Sequence, residues 1–305
     1  MRFAPGVAEH HRPVEIIRGS DEGPRRLAAE RASKFSRAPA GPAAPRAGAT
    51  LWAQIERLSV DMALREPALR RVVEATGLID ASPARIVSAV LTRRLGGSDS
   101  AQSETLHAVL LESLDEDPAV LEFLEADLLA VARHDPACRS CLHALLNFKG
   151  FQALQIHRVA HSLWRRGRFD LALWLSGQMS LALGVDIHPA APIGKGVVLD
   201  HGTGLVIGET AVVEDDVTIL HGVTLGGTGK QRGDRHPKVR YGAFLGAGAT
   251  VLGNIEIGRM SRIGAGSVVL RSVPAYCTVA GVAARAVGTA PADALQRFAV
   301  CGTPS

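Results

Sequence analysis

The sequence predicts an α+β protein, an N-terminal all-helical domain followed by a left-handed parallel β-helix. Three observations carry that expectation. From Leu51 to about Leu183 apolar residues recur at intervals of three and four, the spacing of one buried helix face. From Asp186 the interval becomes six: Ile187, Ile193, Leu199, Leu205, Ala211, Val217 and Val223, then Leu245, Val251, Ile257, Ile263 and Val269. Aromatics are only 4% of the 305 residues while glycine numbers 32, which suits a core of small aliphatics turned at tight corners.

Residues 1–50 carry six Pro and five Gly with no lasting period, and a disordered extension is expected there. Glu9, Glu15, Asp21, Glu22 and Glu30 argue against an organellar transit peptide, which is acid-poor. This segment holds nine of the 34 basic residues and five of the 30 acidic ones. The body is therefore balanced in charge and has no electrostatic footprint for nucleic acid. No run of 18 apolar residues suggests a membrane span, and no apolar region after the start suggests secretion. Four cysteines, with a lone CxxC at Cys138 and Cys141, are too few for a disulfide scaffold or a zinc site. A reducing cytoplasm is expected, with no metal.

The helical domain is placed at 51–185, with six to eight helices. Ser82-Pro83 reads as an N-cap followed by Pro at the first helical position. The segment "DPAVLEFLEADLLAVARHDP" should end near Asp135, because a residue before Pro is pushed out of the helical region. The β-helix is placed at 186–275, with 276–305 as a tail. In a hexapeptide repeat each six residues form a short strand and a turn, and three make one triangular coil. The 22-residue gap between Val223 and Leu245 is no multiple of six. Residues 226–240, "GGTGKQRGDRHPKVR" with Gly226 included, are polar and are expected as a loop thrown out of the helix.

Four polar clusters interrupt the bland repeat: Asp186 with His188, Asp200 with His201, Glu209, and Asp234-Arg235-His236. Asp186 and His201 are 15 residues apart, close to one 18-residue coil, so Asp186 is expected to reach His201 from the neighbouring coil. An Asp–His dyad of this kind fixes the imidazole tautomer and stabilises its cation. His188 and His221 are read as structural or unassigned. His157 and His161 are four apart but lack the Glu of a zinc-protease helix. "GGTGK" at 226–230 is not a P-loop, yet its glycine amides beside Lys230 suit an anion or an oxyanion. Arg262 and Arg285 are further candidates for phosphate contact.

The motifs "DIHP", "LDHGTG", "GETAV", "VTLGGTGK" and "GDRHPK", with "RHDP" and "FKGFQALQIHRVAHSLW" upstream, resemble serine O-acetyltransferase of the hexapeptide-repeat acyltransferase family. The resemblance spans roughly residues 50–288. It implies transfer of acetyl from acetyl-CoA to the hydroxyl of L-serine, the committed step of L-cysteine biosynthesis. It further implies His201 as general base, with Asp186 its partner. Asp135 and Asp200 would hold the serine ammonium, and Arg235 the carboxylate with His236 beside it. Gly227, Thr228, Lys230, Ala247, Arg262 and Ala265 would line the CoA channel. No metal is required. The family assembles as a trimer or a dimer of trimers with sites between neighbours, and is commonly inhibited by L-cysteine. Its tail often ends in Ile, which inserts into a cysteine synthase. This chain ends "CGTPS", and Ser305 lacks the apolar anchor, which weighs against that partner. Gly202 replaces the family's Ala in "LDHATG", expected to be mild, and Ala283 replaces Pro in "AGVPAR". The competing acceptor within this fold is another small molecule such as homoserine. A zinc-dependent hydratase, with His188, His201 and His221 on the metal, would leave the paired carboxylates and the acceptor loop without a purpose, and a non-catalytic scaffold is distinguished by whether His201→Ala abolishes acetyl transfer.

Overall fold

Among residues described by the computed structural model, 50–96, 100–230 and 232–289, eight α-helices precede the first strand. They are α1 (Leu51–Arg65), α2 (Arg70–Thr76), α3 (Pro83–Leu95), α4 (Ser100–Glu116), α5 (Pro118–His134), α6 (Cys141–Asn147), α7 (Lys149–Arg165) and α8 (Phe169–Leu183). The expectations for residues 1–49 and for the tail from 290 lie outside the described residues. Ser82 caps α3 by accepting from the Arg85 amide at 3.4 Å, with Pro83 next in line. Helix α5 stops at His134, and Asp135, held extended before Pro136 at φ −97° and ψ 109°, serves as its C-cap. One break was invisible in the periodicity. Phe148 is extended, at φ −83° and ψ 103°, and splits the apolar run into α6 and α7.

Helix α7 is the spine of this half: every residue from Gly150 to Ala160 is buried. Its polar side chains must therefore find partners inside. Arg158 donates from Nε and Nη2 to the two oxygens of Asp127 on α5, at 2.8 and 2.9 Å. It also donates to the carbonyls of Ile193 and Gly194 at 3.0 and 2.6 Å. Asp127 in turn accepts from the Val197 amide at 3.0 Å. The His157 ring meets the Ala191 carbonyl at 3.0 Å through Nε2. This buried network joins α5, α7 and the first coil of the β-helix.

The strands are β1 (Val185–Ile187), β2 (Val198–Asp200), β3 (Leu205–Ile207), β4 (Val212–Val213), β5 (Thr218–Leu220), β6 (Thr224–Gly226), β7 (Lys238–Val239), β8 (Phe244–Leu245), β9 (Thr250–Leu252), β10 (Glu256–Ile257), β11 (Arg262–Ile263), β12 (Val268–Val269), β13 (Cys277–Ala280) and β14 (Arg285–Thr289). They stack as three parallel faces of a left-handed prism. Face A holds β1-β3-β6-β9-β12, face B holds β4-β7-β10, and face C holds β2-β5-β8-β11-β13. Among the described residues only β14 runs antiparallel, against β13. The chain visits A, B and C in turn.

Pairing corrects the register in one place. Ile187 pairs with Ile207 and Ile207 with Leu225, while Leu199 pairs with Ile219. The inward position that follows Leu199 is therefore Ile207, eight residues on, rather than Leu205. Leu205, Ala211, Val217 and Val223 are nonetheless fully buried, because each hexapeptide buries two positions two residues apart. The count of six had slipped from one inward position to the other across two inserted residues. Those residues lie in the corner 201–204 between faces C and A.

Four boundaries also move. Gly226 belongs to β6, and Lys238–Val239 is a strand paired with both β4 and β10. The excursion expected at 226–240 is thus confined to 227–237. The helix begins at Val185, one residue early. It extends past 275, because Val279 of β13 pairs in parallel with Ile263.

Candidate active site

The candidate residues gather on two edges of the prism, one on each side of face A. On the C–A edge, the longer corner lifts His201 away from the core. His201 has φ 57°, and Gly202 and Gly204 have φ 72° and 73°. Left-handed backbone costs a non-glycine residue roughly 1–2 kcal/mol, so the surroundings must hold it. The Gly204 amide donates to the Gly184 carbonyl at 2.7 Å, and the Gly222 amide to the Thr203 carbonyl at 2.8 Å. The imidazole is left 76% exposed, beside a 37% exposed Asp200. A Cβ at Gly202 would lie 3.2 Å from both Gly150 Cα and Val185 Cγ2. Alanine there would be tight as well as left-handed.

This corner opens into a cleft of about 410 Å³ between the helices and the prism. Asp135, His143, Lys149, Asp200, His201 and Thr203 contribute its polar lining. Asp135 arrives through the helix stop before Pro136, and its Oδ1 accepts from the Ala137 amide at 2.8 Å. Two carboxylates and an imidazole from opposite walls suit an ammonium with a neighbouring hydroxyl. His221, one coil on, meets the His201 ring edge-to-face at 5.9 Å.

The expected dyad is not formed within the single chain. Asp186 faces outward from β1 and its backbone pairs with Val206 in the middle of face A. Among the described residues no hydrogen bond joins it to His201. The carboxylate beside His201 is Asp200, with Oδ1 3.8 Å from Nε2, beyond hydrogen-bond reach. The physical reason is the corner. Val185 pairs with Leu205, 20 residues on, where Thr250 pairs with Val268, 18 on, and the inserted residues with the left-handed turn carry the ring outward.

On the A–B edge the loop 227–237 builds its own network. Arg235 donates from Nη2 to Glu209 Oε2 at 2.7 Å and from Nη1 to the Gly233 carbonyl at 3.1 Å. That hydrogen bond holds the Glu209 carboxyl below its usual range. Thr210 Oγ1 accepts from the amides of Arg235 and His236 at 3.0 and 3.1 Å. His236 is 7% exposed, and its Nδ1 accepts from the Thr210 amide at 3.2 Å. Burial lowers the His236 pKa, so the neutral ring is favoured. Gly208 is needed beneath it, since a Cβ there would lie 2.1 Å from His236 Nε2. His236 therefore anchors the loop rather than standing free beside Arg235. Lys238 bridges Asp234 Oδ1 and the Thr210 carbonyl at 2.5 and 2.7 Å.

The CoA candidates divide in the same way. Gly248 donates to the His221 carbonyl and Gly266 to the Ala247 carbonyl, at 2.9 and 2.8 Å. Thr203, His221, Ala247 and Ala265 thus climb the C–A edge one coil at a time, above the cleft. Gly227 packs on Arg235 at the A–B edge, Thr228 reaches toward Gly253, and Lys230 is exposed in the same loop. Arg262 lies on face C with its guanidinium 4.6 Å over the Phe244 ring. Lys149, His143 and Thr203 were missed by sequence reasoning. No local signal marked Lys149, because the helix start that it occupies is hidden in the apolar run.

The chain is similar to known proteins along most of its length. A family model described as "Serine acetyltransferase, N-terminal" matches residues 51–156. The serine acetyltransferase of Salmonella typhimurium is 47% identical over 243 residues, 80% of this chain and 89% of that protein. The enzyme of Haemophilus influenzae is 46% identical over 78% of this chain and 88% of its own length. The crystal structure of serine acetyltransferase from Brucella abortus in complex with coenzyme A superposes with a TM-score of 0.76 at 46% identity, covering 79% of this chain and 96% of that one. The soybean apoenzyme gives 0.75 at 48%, covering 80% and 100%.

Proposed function

This chain belongs to the serine acetyltransferase family, and from that premise we propose how its two edges divide the work. The reaction is acetyl transfer from acetyl-CoA to the hydroxyl of serine, within cysteine biosynthesis. In our reading His201 is the general base. A serine hydroxyl is a weak nucleophile until a base takes its proton during attack. The serine Oγ attacks the thioester carbonyl carbon as His201 receives the hydroxyl proton. The tetrahedral adduct collapses with loss of the CoA thiolate, which takes the proton back from the imidazolium. A backbone amide of 225–229 is read as the donor to the oxyanion.

Asp135 and Asp200 hold the serine ammonium in the cleft, and Arg235 offers its fork to the carboxylate. Asp186 is read as the group that stabilises the His201 cation once substrate is seated. Ala247 and Ala265 leave room for CoA along the C–A edge, with Arg262, Gly227, Thr228 and Lys230 nearer its phosphates. The observation that carries the reading is the meeting of Asp135, Asp200 and His201 in one cleft.

A hexapeptide face of six residues at roughly 3.3 Å each spans on the order of 15–20 Å. One serine cannot touch both edges of face A in a single chain. We therefore read the working form as a closed homo-oligomer, a trimer or a pair of trimers, in which one copy's C–A edge meets the next copy's A–B edge. L-cysteine, with the same ammonium and carboxylate as serine, is read as an inhibitor at this site. We place the enzyme in the cytoplasm; no helix among the described residues is long and apolar enough to cross a membrane.

The test is release of CoA from acetyl-CoA with L-serine or L-homoserine, with and without L-cysteine. Serine should be the better acceptor, with cysteine competing against it. Faster turnover of homoserine would overturn the serine assignment.

A further inference from the structure

Lys149 has no part in the chemistry above, yet its ammonium hydrogen-bonds Thr203 Oγ1 across the seam between helices and prism. We propose that Lys149, acting through Thr203, is a positioning residue for acetyl transfer: it fixes the 201–204 turn and thereby the His201 imidazole. The proposal rests on the reading of His201 as general base.

Three observations lead to it. First, this corner carries two more residues than the turns above it at His221–Gly222, Ala247–Gly248 and Ala265–Gly266, so it has more freedom to lose. Second, its backbone is pressed from both flanks. A Cβ on Gly150 would lie 1.9 Å from the Leu199 carbonyl oxygen, so the first turn of α7 touches β2 backbone to backbone. On the other flank the Gly204 amide is tied to the Gly184 carbonyl, the C-cap of α8. Between those flanks stand His201, Gly202, Thr203 and Gly204. Thr203 is the one residue there, besides His201, whose side chain can be gripped. Third, Lys149 is the first residue of α7, where the preceding Phe148 makes no side-chain cap. A cation at that end opposes the helix dipole. Helix stability does not call for a lysine here, whereas the hydrogen bond to Thr203 does.

The clamp is rigid because α7 is buried behind it through Ala160 and bonded to the first coil through Arg158. Small displacements of a catalytic group matter: a shift near 1 Å can cost on the order of 100-fold in rate.

The test is steady-state kinetics on the full-length protein with Lys149→Met, Lys149→Arg, Thr203→Val, Thr203→Ser and the Lys149→Met/Thr203→Val double variant. Lys149→Met and Thr203→Val should each lower kcat about 10- to 100-fold while the KM for acetyl-CoA stays within about twofold. Thr203→Ser keeps the hydroxyl and should stay near wild type, with Lys149→Arg between. The double variant should be no worse than the poorer single. In a His201→Ala background, Lys149→Met should add nothing. Wild-type kcat in Lys149→Met, losses that multiply in the double variant, or an equal loss in the His201→Ala background would overturn the clamp alone. Wild-type activity of His201→Ala would sink the base reading and the clamp together. Thr203 is exposed, so its variants test the proposal even where Lys149→Met folds poorly.

Discussion

The two edges that flank face A are built in opposite ways. The C–A edge, with Asp200 and His201, is held from outside by the start of α7 and the end of α8. The A–B edge, with Arg235 and His236, is held from within by Glu209, Thr210, Asp234 and Lys238. The lesson is that a repeat so regular cannot position chemistry by itself. One edge borrows rigidity from the helical domain, and the other makes it locally with a loop. Damage to the helical domain should reach His201 and spare Arg235.

The largest break in this comparison should come at the buried seam. Asp127 and Arg158 are 0% and 5% exposed at their side chains, and removing one partner strands the other charge. Arg158→Met should cost about 3–5 kcal/mol of stability. The Arg235–Glu209 pair is 31% and 41% exposed, so Glu209→Gln should cost under about 1 kcal/mol. Denaturant unfolding checks both, and equal losses would erase the distinction between the edges.

Next is the base itself. His201→Ala should lower kcat by at least about 100-fold, within the usual range for a general base. Near-wild-type turnover in initial-rate assays would remove His201 from the mechanism.

The smallest effect concerns acid. His157 is fully buried at the seam, and burial holds its pKa well below 6.5. The native ring stays neutral while the unfolded ring takes up a proton as pH falls through 6.5. Stability at this seam is therefore complete above about pH 7 and declines below 6.5, at no more than about 1.4 kcal/mol per pH unit. His157→Gln keeps a donor for the Ala191 carbonyl and should flatten this dependence of the thermal midpoint. An unchanged slope would place the acid sensitivity elsewhere.

Most of the fold was legible because inward aliphatics recur at a fixed interval and helix signals are local. Ser82-Pro83 and Asp135-Pro136 marked helix ends from their own chemistry. What escaped was anything depending on which inward position was being counted. Leu205 is as buried as Ile207, so two inserted residues left no hydrophobic trace. That same insertion undid the coil arithmetic that placed Asp186 against His201. The pairing of Asp135 with Asp200 across one cleft came from resemblance, since no local pattern joins residues so far apart in sequence. Lys149 and Gly150 were silent for a similar reason: their partners, Thr203 and Leu199, lie some fifty residues downstream on another element.

The claim that the active site is shared between two copies of the chain is open to direct test by complementation. His201→Ala removes the C–A half of every site, and Arg235→Ala disables the A–B half. Each variant alone should be nearly inactive at ordinary serine concentrations. Co-expressed with different tags and purified through both, they should form mixed rings in which some interfaces pair an intact His201 edge with an intact Arg235 edge. In a three-membered ring carrying both tags one interface of three is productive, so recovery of about a third of wild-type activity is expected, and about a quarter for a pair of trimers. Activity no greater than the two variants assayed separately would contradict the shared site and put the whole reaction within one chain.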